Sequence, residues 1–389
     1  MKYELVDSCS ENAVIKVIGI GGGGCNAVNH MVDKHIEGVQ FICANTDAQA
    51  LRRLSVETIV QLGVELTKGL GAGTRPEIGK QAAEENKDRI KEVISGADMV
   101  FLTAGMGGGT GTGAIAVIAQ IAKELGVLTV AVVTKPFEFE GKKKIAVAEA
   151  GIRELEKYVD SLIIIPNQKL LPVLGNNLSL MNAFKAVNDV LYDAVQGITE
   201  LITHPGLINV DFADVVTVMS NMGAAIMGTG SAKGENRAKN AAEKAISCPL
   251  LEDISLQGAK GILVNISAAD MDLTEFNEVG NIMHAFASEF ADMKIGTAIN
   301  PDLGDEIRVT VVATGIGQPP QAVVPPLKVV PKTTDGGINY GELEKPTVIR
   351  KNKVEPRETR FGVQPTTKEG VSAALDYLDI PAFLRRQAD

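Results

Sequence analysis

Short apolar runs rich in β-branched residues recur through the first half of the chain, and longer segments with helical periodicity lie between them. Runs of the first kind predict strands, and apolar positions that repeat every three to four residues predict helices. The predicted strands are 13–19, 39–45, 98–105, 127–134 and 161–167, and the predicted helices include 26–35 and 114–125. Strands that alternate with helices indicate a parallel sheet covered on both faces.

One amphipathic helical pattern is much longer than the others. It extends from about 178 to 203 and ends at His204-Pro205-Gly206, a sequence that stops a helix. Beyond it the alternation resumes, with predicted helices at 211–221, 235–246 and 273–288 and predicted strands at 261–267, 292–299 and 306–314. The predicted fold class is therefore α/β, with an N-terminal parallel-sheet domain joined by a long central helix to a second α/β domain.

The apolar periodicity ends near residue 317. Residues 318–374 mix Pro, Thr, Gly, Lys and Glu without a repeat, which predicts a disordered linker. Apolar and aromatic residues return at 375–389. A short apolar motif on a flexible tether is typical of a docking peptide that becomes ordered when it binds a partner.

Composition and charge add two constraints. The 389 residues include 40 glycines, about one in ten, where an average protein has about 7%. The net charge is −10, and because 318–374 carries +3 and 375–389 carries −1, the first 317 residues carry −12. We expect no nucleic-acid partner for so acidic a chain, because nonspecific binding to nucleic acid needs a basic surface.

Several classes of protein are excluded by what the sequence lacks. No apolar run approaches the roughly 18 residues of a membrane-spanning helix, and the N-terminus has no apolar signal segment. We therefore expect a cytoplasmic protein without direct membrane insertion. The four cysteines form no CxxC pair and the four histidines have no zinc-ligand spacing, so no protein-held metal site is expected.

The first glycine cluster follows the first predicted strand and precedes the first predicted helix. Glycines at 19, 21 and 24 match GxGxxG, and the run 21–24 is longer than a tight turn needs. Glycine lets a phosphate approach the backbone closely, and free N–H groups at a helix start attract the anion. The pattern favours a phosphate ligand over a plain turn, and on its own it also fits a dinucleotide-binding fingerprint.

The second glycine cluster, 105–113, also lies between a predicted strand and a predicted helix. Its six glycines leave successive N–H groups uncovered, and Thr110 and Thr112 add hydroxyls. Two such loops at neighbouring strand ends indicate a triphosphate held from two sides. Neither contains GxxxxGK[ST], so backbone amides and a cation must offset the phosphate charge. A third cluster, 68–74, fits a phosphate-facing loop and a flexible connector equally well.

Several motifs, in order, resemble those of one family. The segment GGGTGTG is similar to the tubulin signature; it lies at 107–113 and accompanies IKVIGIGGGG (15–24), NTDAQAL (45–51), TKGLGAG (67–73), TKPFEFEGKKK (134–144) and NVDFADV (209–215). On these motifs the chain resembles the FtsZ family of tubulin-like cell-division GTPases. The resemblance covers about 13–317 and resumes in LDYLDIPAFLRRQAD at 375–389.

The resemblance implies a division of the chain into functional parts. These are an N-terminal extension (1–12), a GTP-binding domain (13–177), a central helix (178–206), a C-terminal activation domain (207–317), a linker (318–374) and a docking peptide (375–389). The implied cofactors are GTP or GDP and Mg²⁺, with the metal bound mainly through the nucleotide.

The resemblance also implies which residues bind the nucleotide. Those assigned to the phosphates are Gly22, Gly23, Gly24, Cys25, Asn26, Gly109, Thr110 and Gly111. Those assigned to the ribose, the guanine and the support of the site are Glu140, Asn188, Asn45 and Asp47.

Three further positions leave alternatives open. Phe184, one turn before Asn188, is placed equally well to stack on the base or to pack in the core. Lys144 would contact a ligand oxygen, but the family usually has Arg there, and lysine lacks the planar fork of that side chain. The Cys25 thiol at a helix start is either activated by the helix dipole or, as we favour, a small buried filler.

Hydrolysis needs a group that positions water at the γ-phosphate, and the glycine loops contain no carboxylate. The candidates are Asn209, Asp211 and Asp214. Helix capping explains one of the aspartates but explains the trio poorly. In the FtsZ and tubulin families these positions enter the nucleotide pocket of the next subunit, so the resemblance implies a head-to-tail homopolymer in which each contact completes an active site.

The remaining implied partners are membrane-anchoring adaptors and division regulators that bind 375–389, with the protein at the mid-cell division site. Arg385 and Arg386 are too few for stable direct attachment to a membrane. Two other functions are considered. An NAD-dependent oxidoreductase built on the 19–24 fingerprint leaves GGGTGTG unexplained, and Asp211 and Asp214 argue against a filament that binds nucleotide without hydrolysing it.

Overall fold

The computed structural model describes residues 13–174, 179–204, 206–220, 223–251, 259–288 and 291–316. The chain divides into two compact units, Met1–Gln321 and Ala322–Asp389. All described residues belong to the first unit. The predicted N-terminal extension (1–12), linker (318–374) and docking peptide (375–389) lie outside the described residues.

The described strands form one continuous sheet in the order β3-β2-β1-β4-β5-β6-β7-β10-β8-β9. Their bounds are β1 Ile15–Ile20, β2 Val39–Asn45, β3 Thr58–Gln61, β4 Met99–Gly105, β5 Leu128–Lys135, β6 Ser161–Pro166, β7 Ala224–Lys233, β8 Gly261–Ala268, β9 Asp292–Ile299 and β10 Glu306–Ile316. Pairing is parallel from β3 through β7, and β10 pairs antiparallel with both β7 and β8. The eight predicted strands are confirmed to within two residues at each end.

Helices cover both faces of this sheet, as parallel pairing requires. Their bounds are α1 Gly21–Asp33, α2 Ala48–Leu51, α3 Val64–Thr67, α4 Pro76–Glu85, α5 Lys87–Ile94, α6 Thr110–Glu124, α7 Lys142–Leu155, α8 Leu171–Leu174, α9 Leu180–Thr203, α10 Phe212–Met219, α11 Arg237–Ile246 and α12 Leu273–Phe286. One apolar core lies between the sheet and α1, α9 and α10, and a second lies between the sheet and α4 to α7. A third fills the second half of the chain.

Two strands, β3 and β7, are absent from the sequence prediction, and for β7 packing explains why. The strand reads AAIMGTGSAK, in which only Ile226 and Thr229 are β-branched and small residues predominate, so the usual signal of a strand is weak. A β-carbon at Gly228 would lie 2.1 Å from the Ala245 carbonyl oxygen, and one at Gly230 would lie 2.2 Å from that of Ala241. Helix α11 therefore packs so close to β7 that glycine is required, and the strand loses its usual composition.

The central helix α9 places its two ends at opposite edges of the sheet. Near its start, Phe184 contacts Phe137, which follows the carboxyl end of β5. At its end, Thr203 packs on Gly38, which precedes the amino end of β2. The 24 residues of α9 span about 36 Å, so this one element connects the two edges.

A buried polar network ties α9 to the second half of the chain. The Glu200 carboxylate is 5% exposed and accepts hydrogen bonds from Ser267 Oγ at 2.6 Å, Gln196 Nε2 at 2.7 Å and Asn300 Nδ2 at 3.3 Å. Arg308 donates to Gln196 Oε1 at 2.8 Å. Because buried polar groups left without partners are costly, the network fixes the helix against β8 and β10.

Asp193, on the same helix, is expected to make stability depend on pH. Burial raises the pKa of Asp193 to about 6, above the ordinary value near 3.9. A carboxyl whose pKa rises on folding favours the folded chain below about pH 4, and this contribution is lost as the pH rises through about 6. We expect Asp193→Asn to raise the free energy of unfolding at pH 7 by about 1–3 kcal/mol. Denaturant unfolding of both chains from pH 4 to pH 8 measures this; parallel pH profiles would contradict it.

Candidate active site

Two helices begin at the carboxyl edge of the sheet, and neither has a side chain that caps its first backbone N–H groups. β1 continues directly into α1, and its N-cap, Ile20, makes no side-chain hydrogen bond. Gly109 is the uncapped N-cap of α6. Neither first turn contains an acidic residue. Both helices therefore point free N–H groups and positive dipole ends toward the same edge, an arrangement that binds anions. The helix predicted at 26–35 in fact begins at Gly21, so the glycine run forms its first turn.

Two of the loop glycines are not required by the fold. A β-carbon at Gly22 or at Gly108 would have no heavy atom within 4 Å, and neither residue has a left-handed backbone. Elsewhere the loops are tightly packed: a β-carbon at Gly21 would lie 2.7 Å from the Gly111 nitrogen. Open space beside Gly22 and Gly108 is therefore space for something other than this chain.

The third glycine cluster borders the second loop. Gly109 N–H donates to the Gly73 carbonyl at 2.9 Å, and Ala48 N–H donates to that of Gly69 at 3.1 Å. The cluster is therefore fixed to the end of β2 and to the start of α6. These two hydrogen bonds argue against the interpretation of 68–74 as a flexible connector.

Polar residues at the end of β2 brace the loops. Asn45 is buried, and its Oδ1 accepts from Thr46 N–H at 2.9 Å. The hydroxyls of Thr46 and Thr110 are 2.6 Å apart. Asp47 caps α2 by accepting from Gln49 N–H at 2.8 Å. Asn45 and Asp47 therefore hold the backbone beside Thr110.

The aromatic wall beside the loops is partly open. Phe184 is 41% exposed and meets Phe137 edge-on, with ring centroids 5.5 Å apart. Phe139 stacks on Phe137 at 5.0 Å. Asn188 lies one helical turn after Phe184 and is half-buried. The Phe184 ring thus belongs to the surface more than to the core, which favours the stacking interpretation.

Glu140 and Lys144 are paired with each other. The Glu140 carboxylate accepts from Phe137 N–H at 3.0 Å and lies 3.1 Å from Lys144 Nζ. The pair stands at the start of α7, whose backbone passes close to Gly107. A ligand contacting either side chain must share or replace this ion pair.

The Cys25 thiol is not activated. It is 2% exposed, and its Sγ lies 3.4 Å from the Gly19 carbonyl oxygen. The hydrogen bond with Cys43 and burial raise the pKa of Cys25, opposite to the effect of a helix dipole on a reactive thiol. Burial and the raised pKa favour the buried-filler interpretation of Cys25 over a reactive thiol.

The trio Asn209, Asp211 and Asp214 lies beyond the other end of α9. Asn209 Oδ1 accepts from Gly206 N–H at 2.7 Å, and Asp211, the N-cap of α10, accepts from Asp214 N–H at 2.8 Å. The trio follows the end of α9, and Thr203 is about 28 Å along that helix from Phe184. Within one chain the structure does not bring the trio to the glycine loops.

The structure adds two residues that the sequence does not single out. Asn167 follows β6 at the carboxyl edge, and its buried Oδ1 has no hydrogen-bond partner among the described residues. Its place at the end of a predicted strand is a signal that could have identified it. Lys294, in β9, lies 2.9 Å from Asp214 Oδ1, a contact between distant residues that no local pattern reveals.

Neither a metal-binding cluster nor a membrane-spanning helix occurs among the described residues. No cluster of three or more His, Cys, Asp or Glu side chains there could hold a metal ion. In the same part of the chain, no helix is both long and apolar enough to cross a membrane.

Comparisons with known proteins agree with this geometry. Residues 14–175 match the GTPase domain of the Tubulin/FtsZ family, and 223–317 match the C-terminal domain of the FtsZ family. A protein named cell division protein FtsZ from Pseudomonas aeruginosa is 56% identical over the whole of both chains, and one from Coxiella burnetii is 59% identical over 99% of each.

A solved structure is similar as well. The FtsZ dimer of M. jannaschii, described as empty, is 44% identical with a TM-score of 0.75, over 78% of this chain and 88% of that one. An NAD-dependent oxidoreductase is not favoured, because the first glycine loop lies within a matched GTPase domain. Because full-length relatives and both domain models agree, the chain belongs to the FtsZ family of tubulin-like, GTP-dependent cytoskeletal proteins of cell division.

Proposed function

We propose that the two uncapped helix starts hold the phosphates of GTP. The observation that carries this is the open space at Gly22 and Gly108 beside free N–H groups. Ligand contacts of this kind are backbone contacts, which suits a folded body of charge −12. The residues proposed for the phosphates are Gly22, Gly23, Gly24, Cys25, Asn26, Gly109, Thr110 and Gly111.

The rest of the nucleotide extends toward the aromatic wall. The exposed face of Phe184 would stack on guanine, and Asn188 would hydrogen-bond its edge. Glu140 and Lys144 would meet the ribose and a ligand oxygen at the start of α7. The Asn167 Oδ1 atom, buried without a partner, would accept from the base or ribose. Asn45 would keep the second loop in place from behind.

In this proposal Mg²⁺ offsets the phosphate charge that the backbone N–H groups leave uncompensated. No lysine lies within the two glycine loops, and no described cluster of three or more His, Cys, Asp or Glu side chains could hold a metal ion. A magnesium ion bound through the phosphates themselves would supply the missing positive charge, with Thr110 and Thr112 near its waters. Binding of GTP should therefore weaken when magnesium is removed.

The catalytic residues act on a neighbouring copy of the chain. Asn209, Asp211 and Asp214 lie at one end of α9 and the glycine loops lie at the other, so they meet only if chains stack head to tail. Such heterologous contacts repeat without closing and build a filament. The dimer solved for the M. jannaschii relative supports self-association. At each contact the carboxylates would position the attacking water.

The test is sedimentation combined with phosphate release, comparing GTP, GDP, ATP and NADH with and without magnesium. GTP-selective assembly with release of phosphate is expected. Assembly without phosphate release would indicate a switch filament, and reduction or oxidation of a nicotinamide cofactor would indicate the oxidoreductase.

We further propose that 375–389 binds a membrane-anchoring adaptor or division regulator, which would bring the filament to mid-cell. Deleting these residues should spare assembly and GTP turnover and abolish pull-down of the adaptor. A chain with the same fifteen residues in scrambled order is the control for tail length and charge. Loss of assembly in the deletion, with assembly kept in the scrambled chain, would contradict a pure docking role.

A further inference from the structure

Lys294 lies in β9 beside the loop 206–211, which leads from α9 into α10. Hydrogen bonds and close packing join this loop to β9. β9 forms the last strand of the sheet order. Ile208 N–H donates to Thr297 Oγ1 at 3.0 Å, and Thr297 N–H donates to the Ile208 carbonyl at 3.0 Å. A β-carbon at Gly206 would lie 1.8 Å from the Thr297 carbonyl oxygen. The loop and β9 therefore cannot move independently.

Two carboxylates pair with the Lys294 ammonium, and the charge of a third acts on it. Its Nζ lies 2.9 Å from Asp214 Oδ1 and 3.8 Å from Asp292 Oδ1. The hydrogen bond to Asp214, first, and the charges of Asp292 and Asp211 raise the pKa of Lys294. Among the described ion pairs, no other cation is paired with any of these three aspartates. These contacts favour the charged form of Lys294.

The pair contributes little to folding. The Lys294 and Asp214 side chains are 32% and 37% exposed, and ion pairs this accessible stabilise a protein weakly. Both side chains remain accessible to a group that approaches this face. On the proposed function that is the GTP of the next subunit, whose phosphates carry the same sign of charge as the three aspartates.

Resting on that proposed function, we propose that Lys294 is a positioning residue for the trans active site. It holds the Asp214 carboxylate toward the neighbouring nucleotide and reduces the repulsion between the aspartate cluster and the phosphates. Two unlike charges at 2.9 Å fix one oxygen of Asp214, leaving the other oxygen for water. The ammonium acts through Asp214 and takes no proton in the reaction.

The test compares Lys294→Met with Lys294→Arg. Methionine keeps a flexible stem and removes the charge, and we expect phosphate release per assembled subunit to fall by about tenfold, a size usual for coupled charged neighbours. Arginine keeps the charge and should restore turnover to within about twofold of the unmodified chain. GTP affinity of the unassembled chain should be the same in all three, because the nucleotide loops are at the other edge.

Lys239→Met is the matched control. Lys239 is an exposed lysine of α11, 4.0 Å from Glu243, and its loss removes the same charge from the same half of the chain. Turnover should not change in this variant. The critical concentration of Lys294→Met should rise most at about 0.01 M salt, where the Debye length is about 30 Å, and least at about 0.15 M, where it is about 8 Å.

A double variant separates the two proposals. Adding Lys294→Met to Asp214→Asn should change turnover no further if Lys294 acts through Asp214. Full turnover by Lys294→Met overturns this inference while Asp214 remains catalytic. Turnover that survives Asp214→Asn overturns the proposed function. Equal losses from methionine and arginine would assign Lys294 a packing role and would also overturn the inference.

Discussion

Replacing Asp214 with alanine is expected to slow GTP turnover by about 10²–10⁴-fold, the range for a group that positions or deprotonates a reacting water. GTP binding should remain, because Asp214 follows the far end of α9, which is about 28 Å along the helix from Phe184. Filaments should form and persist, because the step that loosens the contact is lost. Phosphate release, nucleotide affinity and sedimentation measured on the same preparation give the three quantities.

The control for this variant is the loss of another aspartate at a helix start, because Asp214 lies in the first turn of α10 and could act only through the stability of that helix. Asp272 is the N-cap of α12 in the same half of the chain. Asp272→Ala should cost about 1 kcal/mol of stability and leave turnover unchanged. If Asp214→Ala lost GTP binding as severely as turnover, or if both variants lost turnover equally, the aspartate would be structural and the shared active site would be wrong.

Replacing Gly22 with alanine is expected to change stability and binding in opposite directions. Glycine within a helix costs about 0.5–1 kcal/mol relative to alanine, and a β-carbon at Gly22 meets nothing within 4 Å. The nucleotide-free chain should therefore unfold at a higher temperature. A methyl group in the proposed phosphate space should weaken GTP binding by about 10–100-fold, as overpacking by 1–3 kcal/mol would.

Gly280→Ala supplies the comparison for this result. Gly280 lies inside α12, and a β-carbon there would make only an ordinary 3.9 Å contact with Ile295. This variant should gain stability in the same way and keep its GTP affinity. Thermal unfolding without nucleotide and a binding titration with magnesium measure both. If Gly22→Ala bound GTP normally, the open space beside that glycine would not be the phosphate site.

Local patterns were sufficient to predict most of the sheet and the position of the two glycine loops between strand and helix. Buried parallel strands are continuous apolar runs, so β1, β4 and β5 are visible in the sequence. The four-residue strand β3 and the strand β7 were not predicted, and in β7 the close packing of α11 requires glycine at 228 and 230, which interrupts the apolar run. The sequence pattern of β7 is therefore determined by α11, a helix that comes later in the chain.

The site shows the same division. The glycine loops and the acidic trio were found because each is compact in sequence, whereas the pairing of Lys294 with Asp214 joins residues that only the sheet brings together. The helix-start position of Cys25 does not by itself decide whether the thiol is reactive, because its contact with Cys43 and its burial, which raise its pKa, depend on the fold. Whether the trio contacts a nucleotide depends on how a second copy of the chain binds. A local sequence pattern does not reveal such a contact.

The length of α9 has a consequence for any filament built in the proposed way. Because each chain carries its nucleotide at one end of that helix and its aspartates at the other, a row of n chains contains n − 1 complete sites. The terminal chain whose nucleotide faces outward always lacks a donor of carboxylates. Its GTP is therefore not hydrolysed until another chain adds. One end of the filament keeps GTP while the interior converts it to GDP, so the two ends would differ in how they grow and shorten.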